Sequence, residues 1–247
     1  MKYGIGFAQA MRTLSIINLP GKDAKGSSTC LYYYPLAGVI LGSLSCIVPY
    51  FIALKSSLAA GFVFTLCMAL LTRGFHLDGL GDTADGFFGA YEKEKILSIM
   101  SDSRSGSFAV VAICLALVCK VISFSFIFSE GNFALAVYCV ALSRTFVVIL
   151  CTIGKYAKEN GLSHSLVEGA RTRHALSAVL CCVLFMFVLL KTGYAFAKVF
   201  VPFSSSMIAM IILYAVSYRK IGGITGDVLG ACAEITECAA SLASILV

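Results

Sequence analysis

Apolar runs alternate with short polar connections along nearly the whole chain. A membrane-crossing helix needs about 20 mostly apolar residues, and residues 32–54, 108–128, 133–153, 175–190 and 201–218 meet or approach that length. Pro35 stands at the entry of the first run, where Gly38 and Gly42 permit close approach by a neighbouring helix. Residues 57–71 are a little short for a span unless 72–75 extend them. A last apolar run, 228–247, carries Glu234 and Glu237. Residues 1–19 are moderately apolar with scattered polar positions, which predicts an interfacial or partly buried helix closed by Pro20-Gly21. The expected architecture is all-α: a polytopic membrane helix bundle with six or seven transmembrane helices, forming one domain over residues 1–247.

Composition supports that pattern. Hydrophobic residues make up 59% of the chain and charged residues 13%, with a mean hydropathy of +0.92. A soluble domain is nearer half apolar and a quarter charged, so the lipid bilayer is an expected partner. The 11 cysteines lie mostly inside apolar runs with no CxxC pair, which fits buried thiols in a reducing compartment. Net charge is +6, but the basic residues are scattered rather than interleaved with aromatics, which argues against nucleic acid. Gln9, Arg12 and Asn18 interrupt the first apolar stretch, which does not read as a signal peptide.

The placement of the basic residues reports topology. Lys2, Arg12, Lys22 and Lys25 precede the first span. Arg73, Lys93, Lys95 and Arg104 follow the second, Lys155, Lys158, Arg171 and Arg173 the fourth, and Arg219 and Lys220 the sixth. The alternate connections are poorer in basic residues. The positive-inside rule therefore puts the N-terminus and the even-numbered connections in the cytoplasm, where they can assemble one site.

The second connection holds the most informative run, in which Asp78, Asp82 and Asp85 recur at i, i+4 and i+7. That spacing stacks them on one helical face. With only 13 acidic residues in 247, such clustering is conspicuous. Crowded carboxylates repel unless a cation sits among them, and oxygen-only ligands suit a hard ion such as Mg2+. Gly74, Gly79, Gly81, Gly86 and Gly89 surround the acids, weakening a helix but letting backbone approach a bulky ligand. Further on, Asp102, Ser103, Arg104 and Gly106 precede an apolar run; Ser105 or Ser107 is the expected helix cap, and Arg104 is placed to clamp a phosphate there.

Other ionisable residues fall inside apolar runs. Arg144 lies well within the fourth span and needs a partner, either a ligand phosphate or an acid. Asp227, Glu234 and Glu237 share a face of the last span; metal binding, pairing with Arg144 and substrate orientation all remain open to them. His76 adjoins the aspartates and is either a base or a hydrogen-bonded interface residue. Acyl transfer has no support, because no GxSxG elbow or Ser-His-Asp arrangement is visible.

The run Gly74-Phe75-His76-Leu77-Asp78-Gly79-Leu80 followed by Asp82-Thr83-Ala84-Asp85-Gly86 resembles the central signature of the cobalamin synthase family, the adenosylcobinamide-GDP ribazoletransferases. Ile99-Met100-Ser101-Asp102-Ser103-Arg104 with Gly106 resembles its next block. Ser143-Arg144, Tyr156-Ala157 with Glu159 and Gly161-Leu162, and Gly222-Gly223 with Thr225-Gly226-Asp227 and Glu234 follow in the family's order. The chain departs from the family at Asn18, where an arginine is common, and at Lys155.

The resemblance implies a reaction in which the 3′-hydroxyl of α-ribazole, or of its 5′-phosphate, attacks the cobinamide-linked phosphorus of adenosylcobinamide-GDP and releases GMP. It further implies Mg2+ held by Asp78, Asp82 and Asp85, with Asp102 or Asp227 completing the set, and His76, Arg104 and Arg144 in catalytic roles. Arg73, Ser103, Gly106, Glu159, Thr225, Glu234 and Glu237 are then the expected substrate-binding residues. The implied location is the inner membrane, multi-pass, with the site facing the cytoplasm; homo-oligomers or association with other cobalamin-assembly enzymes stay open. Other classes fit less well, among them an intramembrane prenyltransferase, which would want two separated aspartate motifs, and a structural membrane subunit, which leaves the clustered acids unexplained. A CDP-alcohol phosphotransferase also uses intramembrane aspartates and Mg2+, but its usual motif is absent. A cation transporter accounts for the acids but favours repeated halves, and no half-repeat is apparent.

Overall fold

The computed structural model describes residues 2–21, 28–158, 161 and 163–247. Helix α1 spans Lys2–Leu14, and a 3-10 segment, Ser28–Tyr33, leads into α2, Tyr34–Ala53. The next helices are α3 (Ser57–Leu71), α4 (Phe75–Gly89), α5 (Lys93–Ile99), α6 (Ser107–Ser129) and α7 (Phe133–Ile153). They are followed by α8 (His164–Gly169), α9 (Thr172–Lys191), α10 (Phe196–Ile221) and α11 (Gly226–Ala243). No strand forms among the described residues; a lone parallel bridge joins Tyr156 to Ile224.

Six helical segments are each long and apolar enough to cross a bilayer: α2 with its 3-10 lead-in, α6, α7, α9, α10, and α11 with the 3-10 turn that ends it; α3, at 15 residues, passes only together with α4 as one bent pair, which makes seven. Burial sorts them. The most apolar stretches of α7 and α11 are 83% and 72% buried, against 22–39% for the other four. Helices α7 and α11 therefore form the centre, and the rest turn residues such as Leu36, Phe51, Leu115, Leu184 and Ile211 outward. Lipid is as apolar as those side chains, so contact between spans rests on close packing and small residues. Gly38 and Gly42 supply it between α2 and α7: a Cβ on Gly38 would stand 3.0 Å from the Ala141 Cα, and one on Gly42 3.1 Å from that of Val137.

Three expectations change. The N-terminal helix ends at Leu14, before Pro20, because the Ile16 N–H donates to the Leu71 carbonyl at 2.7 Å and draws the chain out of helix. The span expected at 201–218 begins five residues earlier, at Phe196. Lys198 is accommodated there because its ammonium reaches Glu130 at 2.6 Å, at the helix end. Residues 72–75 do not prolong α3. Arg73 and Gly74 take φ of 56° and 65°, which reverses the helix, and α4 leaves at 87° to α3.

That bend positions everything else. Helix α4 packs across the first turns of α6 and α11 and so lies at one end of the bundle. A Cβ on Gly79 would meet the Asp227 carbonyl oxygen at 2.8 Å, and one on Gly230 would meet the Gly79 Cα at 3.3 Å. Glycine at both positions lets the two backbones touch. Lys220, at the end of α10, donates to the Phe87 and Ala90 carbonyls at 2.6 and 3.3 Å and fixes the far end of α4.

Candidate active site

The aspartate run is helical, as its spacing predicts, and the three carboxylates climb one face of α4 at this polar end. They differ in surroundings. Asp78, in the first turn of α4, is exposed and borders a cavity of about 800 Å3 that also touches Gln9, Arg12, Arg73, Tyr34 and Phe75. Asp82 is half-buried. Its burial, and then the charges of Asp78, Asp227 and Asp85, push its carboxyl up to about 6. Asp85 is buried, and both its oxygens accept backbone N–H groups: Gly106 at 2.5 Å and Ala109 at 2.9 Å.

Asp85 thus caps α6. Ser105 and Ser107 were the expected caps, but Gly106 holds the N-cap position, without a side-chain cap of its own, and the acid comes from α4. A carboxylate at a helix N-terminus satisfies otherwise orphaned donors and meets the positive end of the helix dipole. Asp102 and Arg104 pair locally, Nη2 to Oδ2 at 2.7 Å, on a surface where the Arg104 side chain is 87% exposed. The Arg104 pairing lowers the Asp102 carboxyl to about 2. Together with Asp85, Gly106, Ser107 and Phe108 they line a second, shallower pocket of about 230 Å3, and Ser103 is exposed beside it.

A third connection enters through backbone pairing. The Ala157 N–H donates to the Ile224 carbonyl at 2.9 Å, and the Ile224 N–H to that of Lys155 at 2.8 Å. This pair clamps the chain after α7 onto the turn before α11. Thr225 caps α11 by accepting the Val228 N–H, and its hydroxyl donates to Asp227 at 3.1 Å. The Lys158 ammonium then stands 3.7 Å from Asp227 and donates to the Ser101 hydroxyl at 3.1 Å. Three connections distant in sequence meet at one lysine. Glu159, expected to bind substrate, lies outside the described residues.

Beneath α4 lies a buried ionic network. Lys120 of α6 contacts Glu234 at 2.5 Å and Glu237 at 2.9 Å, both on α11, and Glu237 also receives Arg144 of α7. Ser143 accepts from Arg144 at 2.6 Å. The formal charges sum to zero, and every member is at most 5% exposed at its side chain. Of the open partners for Arg144, the structure supplies an acid, Glu237. His76 is buried near this network. Burial first, and Arg144 second, push its pKa down to about 3, and its Nδ1 has no hydrogen-bond partner among the described residues. A ring held neutral with so low a pKa is a weak base. Arg73 turns one guanidinium nitrogen to the Ser15 carbonyl at 2.9 Å and ties the α3–α4 bend to the end of α1.

Sequence reasoning missed Lys120 and Lys158. A lone lysine inside the 23-residue α6 satisfies the rule that singled out Arg144, so that signal was present. Lys158 had none beyond its charge, because its partners come from other connections.

Among the described residues, no three His, Cys, Asp or Glu side chains converge closely enough to hold a metal ion. The donor chemistry nevertheless fits a hard divalent cation. Asp82 carries carboxylate charge around it that a cation would relieve, and every nearby acid offers oxygen.

Fold and site together define a class: a polytopic membrane protein whose carboxylate-bearing crossing helix borders a large polar-ended cavity. The family model described as cobalamin-5-phosphate synthase matches residues 6–245. A protein of Chlorobium chlorochromatii named adenosylcobinamide-GDP ribazoletransferase is 38% identical over 236 residues, 95% of this chain and 93% of the relative. Proteins of the same name from Pelodictyon phaeoclathratiforme and Treponema denticola are 38% and 33% identical, covering 98% and 88% of this chain and 96% and 87% of theirs. No solved structure matches the chain. The chain belongs to the cobalamin-5-phosphate synthase family.

Proposed function

We propose that the protein joins α-ribazole, or its 5′-phosphate, to adenosylcobinamide-GDP in the assembly of the cobalamin nucleotide loop. The 3′-hydroxyl oxygen forms a bond to the phosphorus that carries cobinamide. The bond from that phosphorus to the bridging oxygen of the pyrophosphate breaks, and GMP leaves with the electron pair. The product is adenosylcobalamin or its 5′-phosphate. The observation that carries this reading is Asp78, the first acid of the aspartate ridge, bordering a cavity of about 800 Å3, in a chain that matches the family over nearly its whole length.

In-line displacement at a pyrophosphate calls for positioning and charge neutralisation more than covalent help. Asp78, Asp82 and Asp227 are the residues that would hold Mg2+, which when bound neutralises phosphate oxygens and the charge developing on the leaving group. Asp85 and Asp102, already engaged with α6 and Arg104, shape the far end of the ridge. Arg104, almost fully exposed beside the shallower pocket, would turn from Asp102 to a phosphate oxygen. A ridge carboxylate, rather than the neutral and buried His76, accepts the hydroxyl proton. Arg144, Glu234 and Glu237 support α11 from below, and with it Asp227. The basic connections support a cytoplasmic position for this end of the bundle, in an inner-membrane protein.

Purified protein supplied with adenosylcobinamide-GDP, α-ribazole and Mg2+ is expected to release GMP, followed by chromatography. Failure to release GMP with either ribazole form sinks the reading.

A further inference from the structure

Lys158 stands at the meeting point of three connections. Its ammonium lies 3.7 Å from Asp227 Oδ2 and donates to Ser101 at 3.1 Å. The chain that carries it is not free to drift, because the Tyr156–Ile224 bridge fixes the backbone two residues earlier. A cation tethered in this way faces the same carboxylate oxygens that a divalent ion would use. Two positive charges cannot share Asp227 without mutual repulsion, and Coulomb attraction at that separation is substantial in a partly desolvated site. We propose that Lys158 is a tethered counter-ion that competes with a divalent cation for Asp227, and so sets the metal affinity of the site.

The inference rests on the reading of these aspartates as metal ligands. The ammonium already neutralises part of the ridge and keeps Asp227 turned toward the loop. A divalent ion must displace it, after which the lysine keeps Ser101 as a partner. Lys158 is on this account a positioning residue whose removal strengthens ion binding. A merely structural lysine would do the opposite, since losing the tie between loops loosens the site.

The test is Mn2+ binding to the purified full chain without substrates, read by electron paramagnetic resonance. Lys158→Met is expected to bind Mn2+ roughly tenfold tighter than the unmodified protein, the size of shift one neighbouring opposite charge produces. Lys158→Arg keeps the charge and is expected to match the unmodified protein, as is Lys95→Met, which removes an exposed lysine on α5. Lys158→Gln gives the same reading as Lys158→Met should the latter not fold. Equal or weaker Mn2+ binding by the neutral variants overturns the inference and leaves the transferase reading standing. Absence of Mn2+ binding in every variant and in the unmodified protein overturns the metal assignment, and the inference with it.

Discussion

Asp85 of α4 accepts the Ala109 N–H of α6 at 2.9 Å, so one carboxylate of the ridge fastens the crossing helix to a membrane span. Its second oxygen takes the Gly106 N–H. Of the three aspartates in the run, the one most deeply placed serves as a helix cap.

Asp85→Ala is therefore expected to cost about 1–2 kcal/mol of stability, the usual value of an N-cap. Asp85→Asn, which keeps one acceptor, should recover part of it. Thermal unfolding of the detergent-solubilised protein measures both. A loss confined to Mn2+ affinity, with unfolding unchanged, would contradict the capping role.

Asp82 carries the opposite expectation. Asp82→Asn should leave unfolding nearly unchanged and lower GMP release by roughly two to three orders of magnitude, as when an electrostatic group at a reacting centre is lost. EDTA should abolish release in the unmodified protein and Mg2+ restore it. Activity that persists through chelation would remove the metal from the mechanism.

The Lys120–Glu234–Glu237–Arg144 network should show the asymmetry of buried ion pairs. Lys120→Met alone leaves two acids with one arginine and is expected to destabilise by about 3–5 kcal/mol. Pairing it with Glu234→Gln should recover much of that, because the buried charges balance again. A double-mutant cycle on unfolding free energies reads the coupling. Strict additivity would mean the side chains do not act as a unit.

Gly79 has no chemistry of its own, yet Gly79→Ala should impair turnover. The added methyl would press on the Asp227 carbonyl at 2.8 Å, and overpacking of this kind costs about 1–3 kcal/mol. Since Asp82 lies one turn further along α4, lifting the helix displaces the ridge. Lower kcat together with a lower unfolding temperature is the expected pair of results. An alanine variant with full activity would show that α4 can move off α11 without consequence.

Hydropathy alone located the long spans, because lipid demands long apolar helices; it misplaced the start of the span that begins at Phe196, and it left open α3, which passes as a span only together with α4. Spacing alone put Asp78, Asp82 and Asp85 on one helical face, since that periodicity is a local property of the backbone. Sequence also flagged Arg144, Glu234 and Glu237 as too polar for lipid. It could not join them to each other or to Lys120, since the four come from α6, α7 and α11. Nor could it turn α4 by 87° across the bundle; that depends on left-handed Arg73 and Gly74 together with the contact at Gly79 and Gly230. Only tertiary structure assigned Asp85 to the cap of α6 and brought Lys158 to Asp227. Local sequence fixes which face a side chain occupies, but charges that act at a few ångströms depend on which distant segments the packing brings together.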